Sequence, residues 1–120
     1  MTKKLESYLS LLDLSYIEAV KLLLVKYGPS VDDYFREKSY ERFLNGEILN
    51  ILKGNTSRSK EGLFCHHIDE NKYLSLGKKE EVRRQKAPFS TQRQDRLVYC
   101  DLIEHAILHI LIAKETDKKF

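Results

Sequence analysis

Tryptophan is absent from the sequence, and only two cysteines occur in its 120 residues. Tyrosine and phenylalanine therefore supply all of the aromatic volume, and two cysteines cannot build the disulfide framework of a small secreted domain. With 42% hydrophobic and 32% charged residues, the composition is typical of a globular protein. A chain of this length makes one ordinary domain and can bury a core without disulfides.

Long apolar runs are also missing. The longest apolar block, residues 106–113, is interrupted by His109 and is too short to span a bilayer. The opening segment MTKKLESYLSLLDLSY has no continuous apolar stretch before a small-residue cleavage site, so we expect no signal peptide. These features predict a cytoplasmic protein with reduced thiols and no membrane contact.

The net charge is only +3, but basic residues concentrate between positions 78 and 96. Seven basic residues stand there against three acidic ones. Such a segment can neutralise phosphate groups. It is also compatible with a solvated charged loop, and composition alone favours that interpretation.

The N-terminal half is predicted to be helical. Apolar residues recur at three-and-four spacing over 3–27, and Ser15 with Glu18 can form a capping box for a second helix. Gly28 followed by proline ends that helix. Residues 30–54 offer one or two further short helices, and the aromatic residues of this half recur at helical spacing, as core residues do.

The second half mixes strands and helices. The segments LFCHHI (63–68) and DRLVYC (95–100) are candidate strands, and a short helix is expected around 78–86. Residues 101–115 form an apolar helix with Asp101 as its N-cap. Because apolar residues nearly encircle this helix, we expect it to be buried or to form a homodimer contact.

All four histidines lie in two places. His66 and His67 are adjacent on the first candidate strand, whereas His105 and His109 lie one turn apart on the last helix. Histidines at this helical spacing can bind one metal ion. Adjacent strand residues face opposite sides, so one histidine of the pair can join the metal while the other reaches a substrate. Asp101, one turn before His105, is a candidate to orient it.

This constellation resembles the HNH endonucleases, the ββα-metal or His-Me finger nucleases, over roughly residues 56–113. In that family a strand carries a His-His or Asp-His pair, a loop carries an asparagine, and a helix carries metal-binding histidines. Here GLFCHHIDE is similar to the first strand, and RLVYCDLIEHAILH is similar to the part that runs into the helix. The helical N-terminal region (1–55) lies outside the resemblance and is predicted from its periodicity. With the small HNH-like unit (56–120) that the resemblance implies, we expect an α+β fold in one compact domain.

The resemblance also implies a function, metal-dependent hydrolysis of phosphodiester bonds in DNA. His66, His105 and His109 correspond to the ligands of one divalent metal ion (Mg²⁺, Mn²⁺, Ni²⁺ or Zn²⁺), and His67 corresponds to the general base. An imidazole with an ordinary pKa near 6.5 can take a proton from water at neutral pH. Since metal ligands must be neutral, activity should fall in acid.

The sequence departs from the family in two respects. Arg96, followed by Leu97, stands where the family carries the asparagine that holds the general base. The CxxC pairs of a structural zinc site are also missing. Three nearby polar residues are candidates to orient His67 instead: Gln92, Gln94 and Asp95.

Arginine side chains can grip phosphate groups with two parallel hydrogen bonds. We expect Arg96 to act at the site itself because it adjoins the site in sequence. The further candidates for nucleic-acid binding are Arg58, Arg83, Arg84 and Arg93.

Several reactive side chains near the histidines are expected to be structural. Asp69 and Glu70 are interpreted as turn residues in preference to metal ligands, and Glu104 as a structural residue of the last helix. Cys65 should pack in the core, as free cysteines often do. Cys100 precedes a helix N-terminus, where a thiol can be acidified, but a single Cys-His nucleophile does not account for four clustered histidines.

Two other functions compete with the nuclease. A degenerate HNH-like module would keep the metal and bind nucleic acid or protein without cleavage. An all-helical interaction protein with incidental histidines would bind no metal. The sequence does not decide between DNA and RNA as the substrate.

Overall fold

The computed structural model describes residues 2–120 and has an α+β architecture. Within those residues, five α-helices accompany one two-stranded antiparallel sheet, joined by loops and short 3₁₀ turns. The elements are α1 (Lys3–Leu12), α2 (Tyr16–Tyr27), α3 (Glu37–Leu44), β1 (Phe64–His67), α4 (Lys79–Gln85), β2 (Leu97–Cys100) and α5 (Leu102–Glu115). Both predicted strands, the short helix near 78–86 and the last helix are confirmed.

Helix α2 begins and ends where the sequence predicts. The backbone N–H of Glu18 donates to the Ser15 hydroxyl (3.2 Å), and the Ser15 N–H donates to the Glu18 carboxylate (2.9 Å). This reciprocal pair satisfies backbone donors that the first turn leaves free. Gly28 ends the helix at φ 81°, a conformation that glycine adopts without steric cost. The capping box therefore fixes the start of the helix that carries Tyr16.

The main core draws on both halves of the chain. Helices α1, α2 and α5 pack together and against the sheet, and the buried cluster between them includes Leu23, Ile68, Val98 and Leu108. All four residues of β2 are buried. A smaller aromatic cluster around Tyr40 holds α3 against the loops that precede β2. The strand pair is thereby held between the N-terminal helices and α5.

Helix α5 is anchored at its first turn. The backbone N–H of Glu104 donates to the Asp101 carboxylate (2.7 Å), which confirms Asp101 as the N-cap. Glu104 is buried and accepts hydrogen bonds from Lys26 and from the Tyr27 hydroxyl, each at 2.6 Å. Glu104 thus ties α5 to α2, in agreement with the structural role expected for it.

Part of α5 remains accessible. Leu108 is buried, whereas Leu102, Ile103 and Ile110 are exposed. Among residues 2–120, no helix combines the length and the apolar character that crossing a membrane requires.

Candidate metal centre

The strand pair and α5 bring three histidines together. His66 pairs with Val98 and His67 with Leu97 in the antiparallel register, so the two imidazoles leave β1 in opposite directions. The His66 ring meets α5, with its centroid 5.3 Å from that of His105 and 5.2 Å from that of His109. The Nε2 atoms of His105 and His109 are 3.2 Å apart. The three predicted metal ligands therefore lie in one cluster.

Glu70 joins these histidines. It lies in the 3₁₀ turn Ile68–Asn71, directly after β1. One ligand atom from each of His66, Glu70, His105 and His109 lies within 4.8 Å of the others. The interpretation of Glu70 as a plain turn residue missed this placement, since Glu70 points inward at the histidines.

Tyr16 fixes the tautomer of His66. The Tyr16 hydroxyl donates its single proton to the Ile68 carbonyl (2.7 Å), and its oxygen lies 2.8 Å from His66 Nε2. Since that proton is already used, Nε2 must carry the hydrogen and donate it to the tyrosine oxygen. His66 Nδ1 is then an unprotonated acceptor. It is one of two buried side-chain atoms in residues 2–120 that lack a hydrogen-bond partner.

All three clustered imidazoles favour the neutral form. Burial lowers the pKa of His66 well below its usual value, and the neighbouring histidines lower it further. Burial also lowers the pKa of His105, with His109 adding to the effect, and the pKa of His109. Neutral imidazoles are the form that binds metal ions. The donor set and the orphaned His66 Nδ1 therefore fit a divalent transition metal.

His67 lies on the other side of β1 and is held separately. Its Nε2 is 2.8 Å from Gln92 Oε1, and the Gln92 amide nitrogen donates to the Leu76 carbonyl (3.0 Å). The amide orientation leaves Oε1 as an acceptor, so His67 Nε2 carries the hydrogen and Nδ1 is free. The Tyr34 ring packs edge-on against the imidazole, 4.3 Å between centroids. Burial lowers the pKa of His67 to about 4.

Gln92 therefore takes the orienting position for which the sequence left three candidates open. Arg96 instead makes a two-pronged ion pair with Asp69, at 2.7 and 3.1 Å. Asp69 is buried, which explains why the pair forms: a desolvated carboxylate requires a partner. Asp69 thus acts as a structural residue, whereas Arg96 stands beside the site without contacting either member of the histidine pair.

Asp101 does not perform the orienting role expected for it at His105. One of its carboxylate oxygens caps α5, and the other accepts from the Tyr8 hydroxyl at 2.6 Å. The carboxylate is therefore engaged by α1 and by its own helix.

The other predicted arginines all make contacts within the chain. Arg84 pairs with Glu81 at 2.7 Å, and Arg93 reaches Glu37 at 3.3 Å. The remaining two contacts are from Arg58 to Glu61 (2.7 Å) and from Arg83 to the Phe43 carbonyl (3.1 Å).

Two adjoining cavities open beside the histidines. One, of about 260 Å³, is lined by His67, Glu70, His105 and His109 and also by Lys78. The other, of about 360 Å³, shares Tyr34, Cys65 and His105 with it. Lys53 and Arg58 are among the residues that line this second cavity. Basic side chains from separate parts of the chain, Lys53, Arg58 and Lys78, thus line one groove. The two lysines were not among the nucleic-acid-binding candidates predicted from the sequence.

The cysteines are free thiols in protonated form. Burial raises the pKa of Cys65 to about 12 and raises the pKa of Cys100 further. Cys100 is buried, whereas Cys65 is partly exposed in the groove and not in the core where it was expected. A thiolate nucleophile is therefore disfavoured at both positions.

A scan against protein-family models and searches of curated proteins and of solved structures found no match to this chain. The resemblance to the HNH endonucleases therefore rests on the sequence motifs alone.

Proposed function

We propose that this protein is a metal-dependent endonuclease that hydrolyses phosphodiester bonds in DNA through an HNH-like ββα unit. The observation that carries the proposal is the different placement of the two adjacent histidines, His66 and His67. His66 has its unpaired Nδ1 beside the other members of the metal-capable cluster, whereas the His67 ring, held by Gln92, lines the adjoining cavity. Hydrolysis by this class of enzyme requires both elements, a metal site and a separate base.

The metal site of this proposal consists of His66, His105 and His109. Their donor atoms converge, the rings are held neutral, and Tyr16 orients His66 from the opposite side. A divalent ion bound there would stabilise the negative charge that develops on the phosphate group.

In this proposal His67 activates water. Gln92 and Tyr34 hold the ring beside the cavity, and the hydrogen bond of Nε2 to Gln92 leaves the Nδ1 lone pair available. A pKa near 4 makes the isolated imidazole a weak base. The negative charge of a bound phosphodiester would raise this pKa, whereas the divalent ion would lower it.

The groove supplies contacts for the nucleic-acid backbone. Lys53, Arg58 and Lys78 line it, and phosphate contacts of this type are independent of sequence. Arg83, Arg84, Arg93 and Arg96 extend the proposed interface. The ion pairs of Arg84 with Glu81 and of Arg93 with Glu37 lie at the surface and contribute little stability, so these two arginines can exchange a carboxylate for a phosphate. RNA would satisfy the same contacts.

The proposal places the protein in the cytoplasm, where free thiols remain reduced. The proposal is also compatible with a homodimer that forms through α5, since Leu102, Ile103 and Ile110 are apolar and exposed on that helix.

One observation favours a second function, a metal-bound module that binds nucleic acid or protein without cleavage. Arg96, at the position of the family's asparagine, forms an ion pair with Asp69 and does not contact His67. The proposed general base His67 is instead hydrogen-bonded to Gln92. Glutamine is one methylene longer than asparagine. For turnover to occur, the hydrogen bond from Gln92 must orient His67 as accurately as the asparagine does in the HNH family.

Plasmid nicking distinguishes the two functions. Purified protein is incubated with supercoiled DNA in EDTA or with Mg²⁺, Mn²⁺, Ni²⁺ or Zn²⁺, beside His67→Ala prepared in the same way. The nuclease proposal predicts metal-dependent conversion to open circles by the wild type only. Retained metal with no cutting in any condition would favour the binding module, and equal cutting by both proteins would refute the role of His67.

A further inference from the structure

Glu70 is the one carboxylate in the histidine cluster, and its two oxygens have different environments. Oε2 accepts the Leu76 backbone N–H at 2.8 Å. Oε1 faces His66 Nδ1 and His109 Nε2, each at 3.6 Å. The side chain is only 11% exposed. The Leu76 contact thus orients the carboxylate so that Oε1 points into the centre of the cluster.

The distances around Oε1 match those between ligands of one ion. A separation of 3.6 Å is too long for a hydrogen bond. In a tetrahedral site with bonds of about 2.1 Å, neighbouring donor atoms lie about 3.4 Å apart. The Nε2 atoms of His105 and His109, 3.2 Å apart, have similar spacing. Three edges of the four-atom group are therefore close to those of a tetrahedral coordination shell, and all of its edges lie within 4.8 Å.

The largely buried carboxyl group of Glu70 also lacks a lysine or arginine partner in the part of the chain that the structure describes. Within residues 2–120, the basic side chains that approach its carboxylate to 4.0 Å are the imidazoles of His66, His67 and His109, which favour the neutral form. No lysine or arginine of that part of the chain comes so near. Buried carboxylates in proteins are paired with a cation or coordinate a metal. A divalent ion at the centre of the cluster would satisfy Oε1 and His66 Nδ1 at once.

We propose that Glu70, through Oε1, is a fourth protein ligand that completes a three-nitrogen, one-oxygen site with His66, His105 and His109. This inference rests on the metal site of the proposed function. Such a donor set favours Zn²⁺, Ni²⁺ or Co²⁺ over Mg²⁺, which prefers oxygen ligands in octahedral geometry. The chain then holds the ion through four of its own side chains, and a substrate phosphate would enter as a fifth ligand, an expansion that catalytic zinc sites undergo in the transition state.

The test compares Glu70→Gln with the wild type. Glutamine keeps the shape and an oxygen that can accept the Leu76 N–H, so folding is preserved while the anionic ligand is removed. Circular dichroism checks that the variant is folded. Glu80→Gln, at an exposed position in the first turn of α4, is the matched control. Zinc affinity is measured by competition with a chelating dye, and coordination by the visible absorption of the Co²⁺-loaded proteins.

We expect Glu70→Gln to bind Zn²⁺ about 100-fold more weakly, because even the loss of a group that only hydrogen-bonds to a ligand costs 10–100-fold. The Co²⁺ bands should shift in Glu70→Gln and stay unchanged in Glu80→Gln. Weaker binding with an unchanged Co²⁺ spectrum would overturn the ligand role, since a nearby charge alone alters affinity and not coordination. Unchanged affinity would overturn it as well and would leave the three-histidine site standing. Failure of the wild type to bind any of these ions would overturn both this inference and the metal site of the proposed function.

Discussion

Replacing Tyr16 with phenylalanine removes a hydroxyl group that two buried partners share. The oxygen accepts from His66 Nε2 at 2.8 Å and donates to the Ile68 carbonyl at 2.7 Å. Tyr16 is only 1% exposed, so water cannot take the place of the lost group. The variant leaves one donor and one acceptor unsatisfied in the core.

The expected cost follows from those two groups. Each buried polar atom that loses its partner costs about 1–3 kcal/mol, so Tyr16→Phe should lower the free energy of unfolding by about 2–6 kcal/mol. A domain of this size has about 5–15 kcal/mol in total, so the variant is markedly less stable yet can remain folded. The tautomer of His66 is also released, and metal affinity should fall about 10–100-fold.

Urea denaturation in EDTA measures the first effect, and zinc titration of the folded variant measures the second. Tyr73→Phe is the control, since within residues 2–120 the Tyr73 hydroxyl makes no hydrogen bond and its removal should change stability by less than about 0.5 kcal/mol. Wild-type stability and wild-type zinc affinity in Tyr16→Phe would refute the argument that this hydroxyl holds His66 in one tautomer.

Three further predictions concern neighbours of the cluster. Gln92→Leu should reduce DNA cleavage at least about 10-fold and leave zinc affinity unchanged, because Gln92 contacts His67 and not the metal ligands; a parallel loss of zinc binding would contradict this. Burial lowers the pKa of His67 from 6.5 to about 4, so the stability that its neutral form contributes is complete above pH 6.5 and is lost as the pH falls toward 4. In EDTA, the free energy of unfolding of the wild type should therefore fall by up to about 3 kcal/mol more than that of His67→Gln between pH 6.5 and pH 4. Parallel pH profiles of the two proteins would show that the ring is not buried as a neutral group. Arg96→Ala should destabilise the fold by about 1–3 kcal/mol because it leaves the Asp69 carboxylate buried without a partner, and unchanged thermal unfolding would show that water replaces the arginine.

Local sequence patterns were sufficient for the elements that carry the site. The short run of strand-compatible residues around His66 and His67 predicted β1, and the capping signals at Ser15 and Asp101 predicted the starts of α2 and α5. Each of these features depends on residues within a few positions of each other. The convergence of the three metal-site histidines followed from the family resemblance.

Contacts between distant segments could not be predicted in the same way. Tyr16 meets His66 across 50 residues of sequence, and at the sequence level it is one more apolar helix residue. Gln92 was one of three polar candidates, and only the path of the 3₁₀ turn Phe89–Gln92 places it against His67. Glu70 follows a strand as many turn residues do, and the fold alone directs its carboxylate at α5.

The partners of the basic residues could not be predicted from the number of charges either. The excess of basic residues between 78 and 96 is real, but composition says nothing about their partners. The pairing of Arg84 with Glu81 spans three residues of one helix and has the spacing of a helical ion pair. The pairing of Arg96 with Asp69 spans 27 residues and depends on how the chain returns to β2.

The most direct test of the central claim measures zinc affinity and DNA cleavage on the same preparations of wild type, His67→Ala and His109→Ala. If His67 is a base held apart from the metal, His67→Ala should keep zinc affinity within about threefold and lose at least about 100-fold in cleavage rate. His109→Ala should lose both. Equal cleavage by His67→Ala and wild type, or a loss of zinc binding in His67→Ala as large as that in His109→Ala, would contradict the division of work between the two adjacent histidines.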